Sequence, residues 1–573
     1  MGVGGRSVLF NSPEFFVFFL IVYALYRLLG MRGQNRMLLA ASYIFYGWWD
    51  VRFLYLVVLS TGLDYCCGLI LGPGRIPASD RAKVSVLTIL ASVLFVTLNW
   101  SAMSWGGAMP TLGESAASSW AEPSIDWGRL ASPDWIGVWV PIGTIATVAA
   151  ANLVYGPLSR MTTKRRRRVG IILTVGANLL LLGFFKYFNF FIDSFTRVLE
   201  PMGFPVEAMH LHVILPAGIS FYTFQSMSYT IDVYRGKAEA IRDFEDYALF
   251  VTFFPVLVAG PIERVGHMMP RLMTPRRLNL DQTTRGLFLI LFGLFKKMAV
   301  ADSLAVSVNS VFNSHTATWA DVVLASVAFA FQIYCDFSGY TDVARGVGKV
   351  LGIDLMLNFN LPYFSRTPSE FWTRWHISLS SWLRDYLYIP LGGSRHGESA
   401  TYRNLMLTML LGGLWHGAAW NFVLWGAFQG AILCIYRLFS TREPRPVADE
   451  ASADDAGLGR RLGAILATAL FFALTCYGWM LFRAGSLNQV VEFTRILLAG
   501  PSDLHFNIAK PTTAGVFGLP LLVAFECLEY AYGTRVFYRS LPVPIRAALY
   551  ATLLFILILG TSNVATQFIY FQF

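Results

Sequence analysis

Long apolar runs recur along the whole chain, and they leave few folds open. In hydrocarbon every backbone N–H and C=O must find its partner inside the protein, so runs of this kind become helices. Runs at 8–29, 37–49, 51–71, 84–99, 135–156, 169–191, 213–231, 287–304, 322–342, 404–420, 421–437, 462–482, 515–533 and 547–562 read as spans, about 14 in all. Several are shorter than the ~20 residues a perpendicular helix needs, and 37–49 is the weakest. The reading is an all-α integral membrane protein, a single polytopic domain over 1–573. Composition agrees: 55% of the residues are hydrophobic and 14% charged, against about a quarter charged in soluble chains.

Segment 247–261 is interrupted by Pro255, Gly260 and Pro261, which predicts a re-entrant element whose freed backbone groups are satisfied by protein. Threaded with the N-terminus outside, the inner loops hold roughly 35 Lys and Arg and the outer loops roughly 6, as the positive-inside rule requires. Lys164 to Arg168 falls inside, and the acidic loop 100–134 falls outside. The net charge of +10 therefore serves orientation and membrane lipids, not nucleic acid. The first apolar run carries no cleavage-type site and reads as a retained span. Cys66, Cys67, Cys335, Cys434, Cys476 and Cys527 lie in or beside apolar segments without metal-ligand spacing, as small packing residues do. Segment 438–461 reads as a polar linker.

Two histidines stand out. His376 sits in Ser369-Glu-Phe-Trp-Thr-Arg-Trp-His-Ile-Ser-Leu-Ser-Ser-Trp-Leu-Arg-Asp385, a stretch that reads as lying at the cytoplasmic interface. His416 sits deeper, in Leu410-Leu-Gly-Gly-Leu-Trp-His-Gly-Ala-Ala-Trp-Asn421. An ionisable side chain at membrane depth is costly and by default a functional candidate. Histidine exchanges a proton near neutral pH, which suits a general base for a hydroxyl. The alternative is a histidine that hydrogen-bonds a neighbouring helix and fixes packing. Gly412, Gly413 and Gly417 around His416 permit close approach by a helix or by a narrow substrate. Trp375, Trp415 and Asn421 are candidates for lining a channel or positioning substrate beside them.

Phe331-Gln-Ile-Tyr-Cys-Asp-Phe-Ser-Gly-Tyr-Thr-Asp342 gathers Gln332, Asp336, Ser338, Tyr340 and Asp342 at one span end, with Asp336 and Tyr340 on one helical face. It reads equally as the polar lining of a reaction chamber or as an interhelical hydrogen-bond network. Arg384 and Asp385 fit an interfacial charge pair better than a catalytic dyad. Lys296 and Lys297 could meet an anionic donor, although lysines so placed more often snorkel to the interface. There is no Gly-x-Ser-x-Gly elbow, phosphate loop, dinucleotide fingerprint or His-Glu-x-x-His zinc motif. No metal and no bound cofactor is expected. The residues suit direct acyl transfer from an activated thioester, which needs a base, positioning and a dry channel.

The chain resembles the membrane-bound O-acyltransferases, specifically the alginate O-acetyltransferase branch. The resemblance runs through Ala40-Ala-Ser-Tyr-Ile-Phe-Tyr-Gly-Trp-Trp49, Gly183-Phe-Phe-Lys-Tyr-Phe-Asn-Phe190, Leu215-Pro-Ala-Gly-Ile-Ser-Phe-Tyr-Thr-Phe-Gln225, Phe254-Pro-Val-Leu-Val-Ala-Gly-Pro-Ile262, the two histidine segments and Phe568-Ile-Tyr-Phe-Gln-Phe573. It implies a multi-helix ring around a central tunnel, with re-entrant and interfacial helices. It implies that His416 is the principal catalytic histidine and His376 the second. Acetyl-CoA or another acyl thioester would be the cytoplasmic donor. The acyl group would pass outward across the inner membrane to an exported polysaccharide, usually through periplasmic acetyltransferase or acyl-carrier partners. The chain departs from that pattern at about 72–160, an insertion expected to add two spans and the external loop. D-alanyl transfer to a cell-wall polymer is the nearest alternative chemistry. A transporter is the alternative of another class, but the paired broken helices it calls for have no matching set here.

Overall fold

The computed structural model describes residues 10–104, 124–130, 133–202, 214–257, 260–277, 279–314, 316–440, 458–501, 504–560 and 569. These are helical apart from turns, connecting segments and one pair of two-residue strands, Met103–Ser104 with Ser124–Ile125. Most of the expected external loop and of the linker after residue 440 lies outside the described residues. Among those described, seven helices are long and apolar enough to cross a membrane: Val51–Leu71, Trp135–Ser159, Thr163–Met202, Trp319–Val350, Trp420–Phe439, Arg461–Arg483 and Thr513–Tyr532. Other expected spans are shorter helices, such as Pro13–Leu28 and Val543–Leu559. Within 72–160 the chain forms Trp135–Ser159 and the 15-residue helix Ala78–Ser92, which opens on Asp80, Arg81 and Lys83. The chain divides into two compact units, one of Met1–Gly183, Ile214–Val258 and Arg264–Pro275, the other of Phe184–Val213, Ala259–Glu263 and Arg276–Phe573.

The first unit is built around α1 (Leu54–Leu71), α2 (Thr163–Leu182), α3 (Ile219–Arg235) and α4 (Phe244–Thr252). The apolar stretch that includes α1 is 78% buried, whereas that of Trp135–Ser159 is 17% buried, so α1 is interior and the other faces outward. Gly68 on α1 lies against the Tyr229 ring, which leaves no room for a side chain. Asp64 on α1 is fully buried and accepts hydrogen bonds from Thr174 and, at 2.8 Å, from Asn178 Nδ2. Asp243 caps α4 by accepting from the Glu245 N–H at 2.8 Å. The break expected in 247–261 is present: α4 ends at Thr252 and a short turn, Phe254–Leu257, follows. The Phe254 N–H freed there donates to Ser42 Oγ at 3.0 Å, and Gln225 donates to the Phe250 carbonyl. Side chains thus replace the lost helix bonds, the condition for irregular backbone at membrane depth.

The second unit holds α5 (Leu280–Leu294) and α6 (Trp319–Val350). Thr318 and Asp321 open α6 with a reciprocal capping box, Asp321 N–H to Thr318 Oγ1 at 3.2 Å and Thr318 N–H to Asp321 Oδ2 at 3.0 Å. Gly286 and Gly293 on α5 meet Gly346 and Gly339 on α6 backbone to backbone; a Cβ on Gly339 would stand 2.7 Å from the Gly293 oxygen. Small residues seven apart on each helix permit this crossing.

After α5 the chain widens into a π turn, Phe295–Ala301, that carries Lys296 and Lys297. The snorkelling expected of these lysines does not occur. Lys296 is 3% exposed and pairs with Asp342 at 2.5 Å; Lys297 is 2% exposed and pairs with Asp336 at 2.5 Å and Asp302 at 2.8 Å. Three carboxylates within reach offset the desolvation that would otherwise drive the ammonium groups outward. Asp336 also accepts the Ile569 N–H at 2.7 Å, tying the C-terminal end to α6.

Candidate active site

His376 separates α7 (Pro368–Arg374) from α8 (Ile377–Leu383). Its φ of 44° is left-handed, and among the described residues only Leu361, at 48°, shares this among non-glycines. Such backbone costs about 1–3 kcal/mol and persists only where the surroundings fix it. Here Asn358 fixes it. The Asn358 carbonyl accepts the Ile377 N–H at 2.9 Å, and Asn358 Oδ1 lies 3.1 Å from His376 Nδ1. The Ser378 N–H and Oγ reach the same oxygen at 3.3 and 3.0 Å. The His376 ring is fully buried, 4.7 Å from Phe337 of α6 and 6.0 Å from Trp415. Burial pushes its imidazole down to about 3, which keeps it neutral.

His416 is the last residue of α9 (Glu398–His416). The next helix, α10 (Trp420–Phe439), crosses α9 at Gly413 and Gly426, so Gly413 serves helix contact, and Gly417 lies against the Phe422 ring. The His416 ring lies 5.1 Å from Trp415, 5.1 Å from Trp425 and 5.4 Å from Phe482. Trp415 is thus in ring contact with both histidines. The open carbonyls at the end of α9 are taken by one short motif: Lys186 Nζ donates to the Trp415 oxygen at 2.6 Å and the His416 oxygen at 3.0 Å, and Tyr187 Oη donates to the Leu414 oxygen at 2.9 Å.

The other expected site residues divide. Trp375 is 1% exposed and packs 4.7 Å from Trp479, bracing the turn at His376. Asn421 donates to the carbonyls of Phe482 at 3.2 Å and Ala484 at 3.0 Å, which holds Phe482 against His416. Ser338 is buried on α6 beside Phe337. Asp336 does not orient a histidine; it pairs with Lys297, and the Tyr340 ring lies 5.5 Å from the same ammonium. The polar end of α6 is thus an interhelical network. Arg384 and Asp385 pair at 2.9 Å with side chains 64% and 33% exposed, as an interfacial pair would. The sequence reading missed Asn358, Lys186 and Tyr187. Among the described residues no three His, Cys, Asp or Glu side chains group as a metal site requires. Two imidazoles among aromatic rings can move a proton.

A family model described as MBOAT, membrane-bound O-acyltransferase family, matches residues 240–479, which include both histidines. A protein of Pseudomonas putida named "Probable alginate O-acetylase AlgI" is 35% identical over 535 residues, 93% of this chain and 89% of that protein. The peptidoglycan O-acetyltransferase of Helicobacter pylori is 36% identical over 370 residues, 60% of this chain and 67% of its own. The teichoic acid D-alanyltransferase of Bacillus subtilis is 24% identical over 277 residues, 46% of this chain and 68% of its own.

Proposed function

Because this chain belongs to the membrane-bound O-acyltransferase family, and so is a multi-pass membrane acyltransferase, we propose that it passes an acetyl group from a cytoplasmic thioester outward for O-acetylation of an exported polysaccharide. The observation that carries the reading is the pair of buried histidines, both in ring contact with the Trp415 indole. His416 is the principal base. As the acyl carbon bonds to the acceptor oxygen, the hydroxyl proton goes to His416, the carbon–sulfur bond breaks, and the proton then passes to the departing thiolate. His376 is the second proton-handling group. The aromatic wall of Trp415, Trp425 and Phe482 excludes water that would hydrolyse the thioester.

Acetyl is preferred to D-alanyl because the acetylase likeness spans 93% of the chain and the D-alanyltransferase likeness 46%. The donor is acetyl-CoA or another acyl thioester, used as a co-substrate and not as a bound cofactor. The setting is the inner membrane, with about 14 spans in one polytopic domain, the N-terminus outside and a tunnel between the faces. Periplasmic transferase or acyl-carrier proteins would receive the group, and the inserted loop 100–134 is the docking candidate. Inverted vesicles given labelled acetyl-CoA with candidate glycans test this. Label should reach a glycan or a partner protein only when this chain is present; label confined to the donor pool contradicts it.

A further inference from the structure

We infer that Asn358 is a positioning residue that locks His376 with its proton on Nδ1 and its lone pair on Nε2, so that His376 enters acyl transfer as a proton acceptor; the second half rests on the proposed role of the histidine pair. Asn358 is fully buried, and three groups converge on its Oδ1: His376 Nδ1 at 3.1 Å, Ser378 Oγ at 3.0 Å and the Ser378 backbone N–H at 3.3 Å. The backbone N–H can only donate. The amide atom facing it is therefore the oxygen, because the NH2 end would set donor against donor. An amide oxygen can only accept, so His376 Nδ1 must carry the hydrogen. In a neutral imidazole the other nitrogen is then bare.

Backbone and packing hold this arrangement. The Asn358 carbonyl accepts the Ile377 N–H at 2.9 Å, and the Asn360 N–H donates to the Arg374 carbonyl at 2.9 Å, so the segment before Leu361 is laced to both sides of the left-handed turn. Phe337 stands edge-on to the ring at 4.7 Å, and Phe359 at 6.4 Å limits its rotation. A side chain that served only to cap α8 would need the Ser378 contact alone.

The test has a spectroscopic arm and a kinetic arm. In nitrogen-15 histidine-labelled protein in lipid, the His376 resonances are found by difference from His376→Gln. The expected wild-type spectrum has a protonated Nδ1 and a bare Nε2; a protonated Nε2 overturns the tautomer. In Asn358→Ala, kcat should fall about 100-fold or more with KM for the thioester little changed, and the single tautomer should be lost. Asn358→Asp keeps an acceptor in the same place and should recover most of the rate. A folded Asn358→Ala protein that turns over at the wild-type rate overturns the proposal, as does an Asp variant no better than Ala. Full activity in His376→Gln overturns the proton-acceptor role, while the spectrum reports separately on the lock.

Discussion

Lys186 donates from its side-chain Nζ to the carbonyl oxygen of His416 at 3.0 Å, a contact that reaches across 230 residues of chain. The same group takes the Trp415 carbonyl, so one side chain closes the end of the helix that presents His416. Leaving a buried hydrogen-bond partner unsatisfied costs about 1–3 kcal/mol. Lys186→Met should let that end fray and lower acyl transfer about 10- to 100-fold, with the protein still inserted. Lys186→Arg should retain part of the rate. Steady-state turnover in reconstituted vesicles, normalised to inserted protein, is the check. Wild-type turnover in Lys186→Met would show that the contact does not hold His416.

Lys297 pairs with both Asp302 and Asp336; Lys297 and Asp336 are buried and the Asp302 side chain is 9% exposed. Removing only the cation leaves two carboxylates facing each other in a dry interior. Lys297→Met should cost about 3–5 kcal/mol, visible as a lower thermal midpoint in detergent. The triple change Lys297→Met, Asp302→Asn, Asp336→Asn should recover much of that loss, because no uncompensated charge remains. A triple variant less stable than the single one would contradict this account of the network.

The His376 imidazole is pushed down to about 3 in the fold, below its ordinary value of 6.5. The folded state therefore binds fewer protons than the unfolded state between those values. The stability associated with neutral His376 is complete above about pH 6.5 and is lost as pH falls below it, by about 1 kcal/mol at pH 5.5. The thermal midpoint should drop more between pH 7.5 and 5.5 for the wild type than for His376→Gln. Equal drops would mean that His376 is free to charge in the fold.

Topology can be tested at the loop after His376. Ser378 is unsuitable for labelling because it is fully buried. Ser394 is exposed. A cysteine at Ser394, in a background without native cysteines, should react with an impermeant reagent only in inverted vesicles. Labelling from the opposite face would reverse the threading.

The sequence made the helices and the histidine pair legible for different reasons. Hydrocarbon leaves the backbone no choice but helices, so apolar runs mark where they lie, and Pro255 marks where one must break. His416 stood out because ionisable groups at that depth are rare. Asn358 did not, because its importance comes from a left-handed turn 18 residues later that no propensity foretells. Lys186 and Tyr187 lay in a segment whose likeness to a family was plain and whose task was not, since the carbonyls they cap belong to a distant helix. Lys296 and Lys297 were misread because reach to the interface is a property of one helix, whereas Asp336 and Asp342 come from another. For the same reason Asp336 read equally as a chamber residue or as part of a network: its partners, Lys297 and the Ile569 N–H, are assembled only in three dimensions.

On the proposed mechanism His416 handles the proton in acyl transfer. The most direct measurement supplies radiolabelled acetyl thioester to the cytoplasmic face of proteoliposomes that hold wild-type or His416→Ala protein at equal inserted amounts, and follows the label to an acceptor glycan. General acid–base groups typically contribute about 10²–10⁴-fold. The wild type should transfer label and His416→Ala should fall by at least the lower figure while its thermal midpoint stays near that of the wild type. Transfer at the wild-type rate by a correctly inserted His416→Ala protein would contradict the account.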